Sequence, residues 1–517
     1  MSAVSERPPR VGLRLTVRAL LACLVVMVVT AAAVATAALR ELNDILDPIR
    51  KPGRADIRIP ELDTPPSGGP RTFLILGSDK REGADRNSPP RSDTILLARA
   101  DANADGITVM SIPRDLKVAI PGHGSDKINA SFELGGRGGG PGLVVKTIKK
   151  LFKDKIGQDL PITNVMVMDY GAFRRAVNYI GGVYVDIDRD YFNDNSSGEN
   201  YATIDVNPGY QKLMGKDALD YVRYRHGDND LVRAARQQDF IRQAKDAAGV
   251  RRLLAGGLGQ KRHLIQVFSR YFRVDESLRS NKQVLSLLKL AIYLGAKNPK
   301  VHEVRFRAHD APNPQVNSNL YIDNNDLRTV FREFMSLKGS ATPRVGTSKP
   351  TAADRETQRV RGKRKAAPGP VPGLEQTRTD GENMAVLADP KLDFPFYFPT
   401  VRVRGSSYAG TAPRIYNVKD ETGKTRQAYR LVLRAPGIGE YYGIQGLTWK
   451  APPILDNPDK VIHRHGRTLR LYLDGKRLRL VAWKAPGAVY WVSNTLTQSI
   501  GEAQMLEIAS SLTRLKQ

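Results

Sequence analysis

The chain has 517 residues, 41% of them hydrophobic, so it is long enough for more than one domain with its own core. Its formal net charge of +27 indicates an anionic partner, and its single cysteine, Cys23, excludes disulfide bonds within the chain. The sequence contains no nucleophile elbow and no phosphate-binding P-loop motif, and the pair His463 and His465 lacks the further ligands of a zinc site.

The first predicted element is an uncharged apolar run over residues 19–39, about the length of a membrane-spanning helix. Arginines precede this run and acidic residues follow it, which predicts a cytoplasmic tail at residues 1–18 and an extracytoplasmic chain after residue 40. The pattern therefore predicts a single-pass protein of the cell membrane. A cleaved signal peptide is the alternative, although the run is longer than the usual apolar region of one.

A polar, proline-containing stalk is expected at residues 40–69, and the main domain is expected at residues 70–337. The predicted strands are 72–76, 95–98, 107–111, 165–168 and 183–187, and the predicted helices are 142–152, 170–179, 216–222 and 231–247. This interleaving predicts a mixed α/β sandwich in which helices flank a central sheet. Gly135–Gly142 is predicted to be a flexible loop bordering the site.

Two further helical patterns follow in this domain, an amphipathic one at residues 263–272 and one at residues 284–294 that is apolar nearly all round. A helix without a polar face must be buried or must border another apolar body. The second helix therefore either is part of the core or borders another apolar body.

The segment of residues 221–238 gathers four arginines and two aspartates. If residues 221–225 are extended, Arg223 and Arg225 point to the same side. If a helix follows Asp230 as its N-cap, then Arg233, Arg236 and Gln237 share one face. Such a concentration of guanidinium groups predicts a phosphate-binding site, and the alternative is a basic, solvated surface.

Three earlier blocks accompany this segment. The first is a strand that ends in Gly77, Asp79 and Arg81, and the second runs from Arg91 to Thr94. The third closes the 107–111 strand with Arg114 and Asp115, and Lys127 and Asn129 follow it. In this order, the four blocks resemble the LytR-CpsA-Psr family of cell-wall glycopolymer ligases over about residues 70–337.

The resemblance implies a transferase that uses a polyprenyl-pyrophosphate-linked glycan as donor and a hydroxyl of peptidoglycan as acceptor, and that releases polyprenyl phosphate. It also implies a set of residues that hold the pyrophosphate, namely Arg81, Arg114, Arg223, Arg225, Arg233 and Gln237. A magnesium ion would be held by Asp79 and Asp93, since carboxylates are hard ligands. The catalytic set would be Asp79, Asp93, Arg114, Arg225 and Asp230.

Several of these roles leave alternatives open. Asp93 is either a metal ligand or a salt-bridge partner of the neighbouring Arg91. Asp228 or Asp230 would assist deprotonation of the acceptor, although Asp230 could simply cap its helix. Lys127 and Asn129 are expected to support the site rather than to bind substrate.

Two other functions use the same anion site. One is a phosphatase or pyrophosphatase with water as the acceptor, and the other is a non-catalytic adaptor that holds a lipid-linked polymer. The basic tract of residues 359–365 and the high pI suggest nucleic acid, but the expected position outside the membrane excludes that partner.

Residues 338–383 are rich in proline, glycine and charge, and they are predicted to be a disordered linker that is either a tether or an adhesive for anionic polymer. A separate small α+β module of unknown role is expected at residues 384–517. Its strongest signal is a hairpin over 469–483 with a tight turn at Asp474 and Gly475. Its aromatic residues, Tyr441, Tyr442, Trp449, Trp483, Tyr490 and Trp491, either pack together or bind sugar.

Overall fold

The computed structural model describes residues 57–65, 69–78, 91–101, 106–196, 202–224, 227–228, 230–247, 273–279, 283, 300–311, 318–336 and 371–515. The expected anchor at 19–39 and the two helices expected at 263–272 and 284–294 lie outside these residues. Within the described ranges, no helix is both long enough and apolar enough to cross a membrane.

The N-terminal part of the described chain, residues 57–336, contains fourteen strands and six helices. The strands are β1 (Arg71–Ser78), β2 (Ser92–Ala100), β3 (Gly106–Ser111), β4 (Lys117–Ile120), β5 (Gly124–Lys127), β6 (Asn164–Asp169), β7 (Val183–Ile187), β8 (Tyr191–Asn193), β9 (Ile204–Val206), β10 (Gly209–Leu213), β11 (Arg273–Val274), β12 (Lys300–Val304), β13 (His309–Asp310) and β14 (Leu320–Tyr321). The helices are α1 (Ala130–Leu134), α2 (Gly136–Ile156), α3 (Tyr170–Tyr179), α4 (Gly215–Arg223), α5 (Asp230–Lys245) and α6 (Asn324–Met335).

A six-stranded mixed sheet lies at the centre of this part, in the order β11-β6-β1-β2-β3-β12. Strand β1 pairs parallel to β6 and antiparallel to β2, and β3 pairs parallel to β12. Apolar side chains of the sheet, α2 and α6 form one hydrophobic cluster, to which Leu74, Val145 and Val330 belong. This arrangement confirms the predicted mixed α/β architecture with helices packed on a central sheet.

The C-terminal part, residues 371–515, is built around an eight-stranded antiparallel sheet. Its strands are β15 (Leu374–Gln376), β16 (Val401–Val403), β17 (Ser407–Tyr408), β18 (Arg414–Lys419), β19 (Thr425–Arg434), β20 (Tyr441–Leu447), β21 (Lys460–Arg464), β22 (Arg467–Asp474), β23 (Arg477–Ala485) and β24 (Ala488–Ser493), of which β15 and β16 form a separate pair. Its helices are α7 (Arg378–Ala388) and α8 (Glu502–Ser511).

Both faces of this sheet are covered. Along β24, Tyr490 and Val492 join the cluster that includes residues of α8, whereas Val489 and Trp491 join a second cluster. The second cluster also contains Tyr184 and Tyr210 of the N-terminal part. The predicted separation of the two parts is therefore wrong at this surface, because they share a hydrophobic core.

Polar contacts reinforce this shared core. Arg430 is fully buried, and its Nη1 lies 3.0 Å from Oδ1 of Asp186, while Nε1 of Trp491 donates to Oδ2 of Asp186 at 3.1 Å. Nη2 of Arg430 also donates to Oγ of Ser493 at 2.9 Å. The carboxylate of one part is thus satisfied by two donors of the other.

Several boundary predictions need correction. Ile57 and Ile59, expected in the stalk, are buried in the main core, and α7 begins within the expected linker. Residues 221–223 are helical rather than extended, since α4 ends at Arg223. The predicted turn shifts by one residue, because Asp474 still pairs with Arg477 and is buried at the end of β22.

The glycine-rich segment is also not a loop, since α2 begins at Gly136. A Cβ on Gly140 would lie 2.3 Å from the carbonyl oxygen of Phe132, so the glycine allows α2 to approach α1 closely. The glycines thus serve helix packing at this point.

Candidate active site

Asp93 occupies a bulge in the β1–β2 pair. Gly77 lies opposite Thr94 and Ser78 opposite Ser92, so Asp93 is the extra residue of β2. A Cβ on Gly77 would lie only 2.9 Å from Cβ of Thr94, which explains why glycine is needed at this step. Bulges redirect a side chain at a sheet end, and this one directs the Asp93 carboxylate toward Arg114.

Arg114 is the centre of the charged cluster. Its Nη1 lies 2.7 Å from Oδ1 of Asp93, and its Nε lies 3.5 Å from Oδ2 of Asp115 and 3.8 Å from Oδ1 of Asp230. Burial lowers the pKa of this guanidinium, but the carboxylates of Asp230, Asp93 and Asp115 outweigh burial and raise it. Arg114 therefore stays charged although it is largely shielded from water.

Asp230 and Arg233 form the second pair of the cluster, three residues apart in the first turn of α5. Nη2 of Arg233 lies 2.5 Å from Oδ1 of Asp230. Burial raises the pKa of Asp230 despite its cationic neighbours, and burial lowers the pKa of Arg233 although Asp230 opposes this. Because α5 begins at Asp230, this residue lies inside the helix and is not the predicted N-cap.

Arg223 lies at the edge of the cluster, at the end of α4. Its guanidinium carbon lies 4.9 Å from the centre of the Tyr170 ring, a cation–π distance. The Tyr170 hydroxyl donates to Oδ2 of Asp93 at 3.3 Å. Tyr170 therefore links Arg223 to Asp93, and it was not among the predicted site residues, although it directly follows the sheet strand β6.

Lys127 and Asn129 support the loop of Arg114, as the sequence predicted. Nζ of Lys127 lies 2.9 Å from Oδ1 of Asp115, and the backbone N–H of Asn129 donates to the backbone carbonyl of Arg114 at 3.2 Å. Asp93 forms a salt bridge with Arg114, whereas Nε of Arg91 lies 2.7 Å from Oε2 of Glu133.

Asp228 and Arg236 form a structural pair rather than a part of the anion site. The side chain of Arg236 is fully buried, pairs with Oδ2 of Asp228 and donates to the carbonyls of Tyr221 and Tyr224. Nη2 of Arg189 binds the other carboxylate oxygen at 2.6 Å. Asp228 is therefore engaged on both oxygens, with 1% of its side chain exposed, and it does not suit the role of an acceptor base.

Gln237 lies next to this structural pair. Its side-chain amide donates to the carbonyl of Val222 at 3.2 Å, near the end of α4. The face predicted to present Arg233, Arg236 and Gln237 together is therefore divided by the structure, and only Arg233 contacts the Arg114 cluster.

Three predicted site residues, Asp79, Arg81 and Arg225, lie outside the described residues. Asp79 directly follows Ser78, whose pairing partner Ser92 precedes Asp93. Strand β1 therefore ends beside the Asp93 bulge. No group of three or more possible metal-binding side chains occurs in the part of the chain that the structure describes, and both oxygens of Asp93 accept hydrogen bonds.

The cluster as a whole combines three carboxylates with four cations. The carboxylates are those of Asp93, Asp115 and Asp230, and the cations are those of Arg114, Arg223, Arg233 and Lys127. Nε of Arg114 and Oδ2 of Asp230 are buried and have no hydrogen-bond partner among the described residues. Nε of the structural arginines Arg236 and Arg430 is also buried without a hydrogen bond, so it is the concentration of charged groups that makes this cluster the candidate site.

A cavity of about 420 Å³ lies elsewhere, between the two parts of the chain, and is lined by Tyr184, Arg242 and Tyr472 among others. It does not include any residue of the Arg114 cluster. The candidate active site is the charged cluster around Arg114 and not this cavity.

Comparisons with known proteins agree with these motifs. The LytR_cpsA_psr family model matches residues 38–332. TagT of Bacillus subtilis, a polyisoprenyl-teichoic acid–peptidoglycan teichoic acid transferase, is 32% identical over 185 residues, which are 36% of this chain and 54% of the relative. TagU of Oceanobacillus iheyensis, which carries the same description, is 34% identical over 180 residues, 34% of this chain and 51% of the relative.

The chain therefore spans about half the length of the curated relatives it matches. Among solved structures, Bacillus subtilis TagV is 22% identical with a TM-score of 0.40, over 52% of this chain and 97% of that one.

Proposed function

The chain belongs to the LytR-CpsA-Psr family, and we propose that it is a membrane-anchored, extracytoplasmic phosphotransferase that attaches glycopolymers to peptidoglycan. The donor in this proposal is a glycan linked to a polyprenyl pyrophosphate, and the released product is polyprenyl phosphate. The names of TagT and TagU support the transferase class and the peptidoglycan acceptor. The expected topology of residues 1–40 supports the location.

The observation that carries the proposal is the cluster around Arg114. Arg114 and Arg233 approach each other through Asp230, and both lie at the end of the central sheet where the Asp93 bulge is located. Paired guanidinium groups suit the bidentate recognition of two linked phosphates. Arg223 would add a third cation at the edge of the cluster, and Arg81, Arg225 and Gln237 remain proposed pyrophosphate-binding residues.

In the proposed step, the acceptor hydroxyl oxygen forms a bond to the phosphorus that carries the glycan. The bond from that phosphorus to the bridging oxygen breaks, and the electron pair leaves with polyprenyl phosphate. The hydroxyl proton passes to the carboxylate of Asp230, whose buried position raises its pKa and makes it a better base than an exposed aspartate. Arg114 and Arg233 would stabilise the negative charge on the phosphate oxygens in the transition state.

A magnesium ion, if bound by Asp79 and Asp93, would neutralise phosphate charge and help to align the two phosphates. Arg114 already holds Oδ1 of Asp93, so this carboxylate would present its remaining lone pairs to the ion. The role of the protein is then to fix the direction of Asp93 through the bulge and through the Tyr170 hydroxyl.

The test is transfer of a labelled glycan from a synthetic polyprenyl-pyrophosphate donor to peptidoglycan, with the full chain in detergent and with magnesium or chelator. We expect label in the peptidoglycan and free polyprenyl phosphate. Release of glycan phosphate into solution at the same rate without peptidoglycan would indicate a phosphatase instead. Donor binding without turnover would indicate an adaptor, and turnover that is indifferent to chelation would exclude the metal assignment.

A further inference from the structure

A loop of the C-terminal part, residues 436–440, lies against the middle of the arginine segment of residues 221–238, and β20 begins directly after this loop at Tyr441. Gly439 adopts a φ of +71°, and a Cβ there would lie 2.9 Å from Oδ1 of Asp228 and 3.3 Å from the methyl groups of Val232. The loop backbone therefore approaches as closely as the absence of a side chain permits. Val232 immediately precedes Arg233 in the sequence, and Asp228 lies five residues before it.

Tyr441, the first residue of β20 after this loop, completes an aromatic box around Arg189. The guanidinium carbon of Arg189 lies 4.6 Å from the ring centre of Tyr191, 5.1 Å from that of Tyr224 and 5.2 Å from that of Tyr441. Two of these rings belong to the N-terminal part, and the third comes from the C-terminal part. Cation–π contacts of this kind hold a guanidinium in one orientation.

Arg189 in turn holds Asp228. Its Nη2 binds Oδ1 of Asp228 at 2.6 Å, the same oxygen that Gly439 approaches, while Arg236 binds Oδ2. Arg236 also binds the carbonyls of Tyr221 and Tyr224, which flank Arg223. Asp228 is therefore linked through Arg236 to the end of α4, where Arg223 lies, and to α5, which carries Arg233.

The loop is itself fixed by its own sheet. The Glu440 carboxylate is buried and accepts hydrogen bonds from the hydroxyls of Thr497 and Ser499. The Glu440 carbonyl accepts from the Ala435 amide at 2.9 Å, which closes the loop at its base. A loop held at both ends in this way can transmit the position of the C-terminal sheet to Asp228.

We propose that Gly439 and Tyr441 are positioning residues for the phosphate-binding arginines, and that the C-terminal part completes the active site through them. This inference rests on the proposed function, because it names what orients the arginines of that same site. It assigns to residues 371–515 a role in catalysis without any contact with substrate. Gly439 sets the position of Asp228 by direct packing, and Tyr441 sets it through Arg189.

The first test compares two glycine substitutions with the same backbone strain. Gly439→Ala adds a methyl group against Asp228, whereas Gly466→Ala adds one at a φ of +73° where no atom lies within 4 Å. Because a misplacement of about 1 Å can reduce turnover about 100-fold, we expect kcat of Gly439→Ala to fall by about 10- to 100-fold. The kcat of Gly466→Ala should stay at the wild-type value, and both variants should show similar melting temperatures.

The second test distinguishes the cation–π contact of the Tyr441 ring from the volume that its side chain fills. Tyr441→Phe keeps the aromatic face over Arg189, whereas Tyr441→Leu keeps an apolar side chain without it. We expect Phe to retain wild-type kcat and affinity for farnesyl pyrophosphate as a probe. Leu should weaken that affinity about tenfold, with hydrogen exchange at residues 228–236 becoming faster.

The outcomes distinguish the two proposals. A wild-type chain that binds farnesyl pyrophosphate but responds equally to Gly439→Ala and Gly466→Ala would overturn the positioning role and leave the proposed function intact. Equal loss of affinity in Tyr441→Phe and Tyr441→Leu would also overturn it. A wild-type chain that neither binds the probe nor transfers glycan would overturn the proposed function itself.

Discussion

Arginine–aspartate pairs occur in two very different settings in this molecule. The pair of Arg430 and Asp186 joins the two parts of the chain, and both carboxylate oxygens and both terminal nitrogens of the guanidinium have partners. Arg114 instead has three carboxylates at 2.7 to 3.8 Å and a buried Nε without a hydrogen bond. The difference between the two settings is the number of carboxylates around the cation: Arg430 joins one carboxylate, whereas Arg114 lies among three. A buried Nε without a hydrogen bond occurs in both arginines and does not distinguish the structural pair from the candidate site.

We expect the largest effect on stability when the structural pair of Arg430 and Asp186 is broken. Arg430→Ala would leave Asp186 buried without its cation, so the free energy of unfolding should fall by about 3–5 kcal/mol. Denaturant titration of the full chain measures this change. The double substitution Arg430→Met with Asp186→Leu should recover much of the loss, because it leaves no buried charge unpaired. A single variant as stable as wild type would contradict the structural role.

The next prediction concerns Arg233 in the candidate site, where a substitution should leave the fold largely intact. Arg233→Ala removes a charge-assisted contact worth about 1.5–3 kcal/mol, so kcat/KM should fall by about 10- to 150-fold. Lysine at this position should restore only part of the activity, since an ammonium group cannot form the planar bidentate pair. A loss of activity that simply follows the loss of melting temperature would place Arg233 with the structural arginines.

The third prediction is a pH dependence. Burial raises the pKa of Asp230, so its carboxyl keeps its proton to a higher pH than an ordinary aspartate, near 3.9. If Asp230 is the base, the acidic limb of kcat/KM should lie at a higher pH than the pKa of an ordinary aspartate. Activity should then fall as the pH drops through the raised pKa of Asp230. The same raised pKa means that ionisation of Asp230 lowers the free energy of unfolding as the pH rises from the ordinary pKa of aspartate to the raised pKa of Asp230 in the folded protein. Asp230→Asn should abolish the limb, and an unchanged limb would exclude Asp230 as the base.

The smallest expected effect concerns an exposed pair close to the site. Arg91 binds Glu133 at 2.7 Å with more than half of its own side chain in solvent. Exposed pairs contribute about 0–1 kcal/mol, so Arg91→Ala should change the melting temperature little and leave transfer unchanged. A large loss of transfer in this variant would extend the site beyond the Arg114 cluster.

Much of the N-terminal fold followed from local patterns. The predicted bounds of α3 and β7, residues 170–179 and 183–187, agree with the structure, because their apolar periodicity is strong and glycines separate them. The strands predicted at residues 95–98 and 107–111 are also present, as β2 and β3, and they pair antiparallel. The helix bounds around the site were less accurate, since the end of α4 depends on how its carbonyls are bound by Arg236.

The site was predictable in composition but not in arrangement. Arg233 and Arg236 are three residues apart, yet one contacts the Arg114 cluster and the other is buried against Asp228. No local pattern distinguishes them, because the difference arises from partners that other segments supply. The bulge at Asp93 had a weak signal in Gly77, but the register that creates it is a property of the strand pair.

By itself, the sequence determined the family, the succession of most strands and helices along the N-terminal part, and the residue types of the anion site, because these follow from local periodicity and short motifs. The sequence also contains a pattern that indicates how one strand of the C-terminal part is buried. The run Ala488–Val492 is continuously apolar, which is typical of a strand buried on both faces. Only the tertiary structure decided what covers the second face, namely Tyr184 and Tyr210, because such a contact joins residues more than 200 positions apart. For the same reason, only the tertiary structure revealed that a C-terminal loop rests on Asp228 beside the arginines.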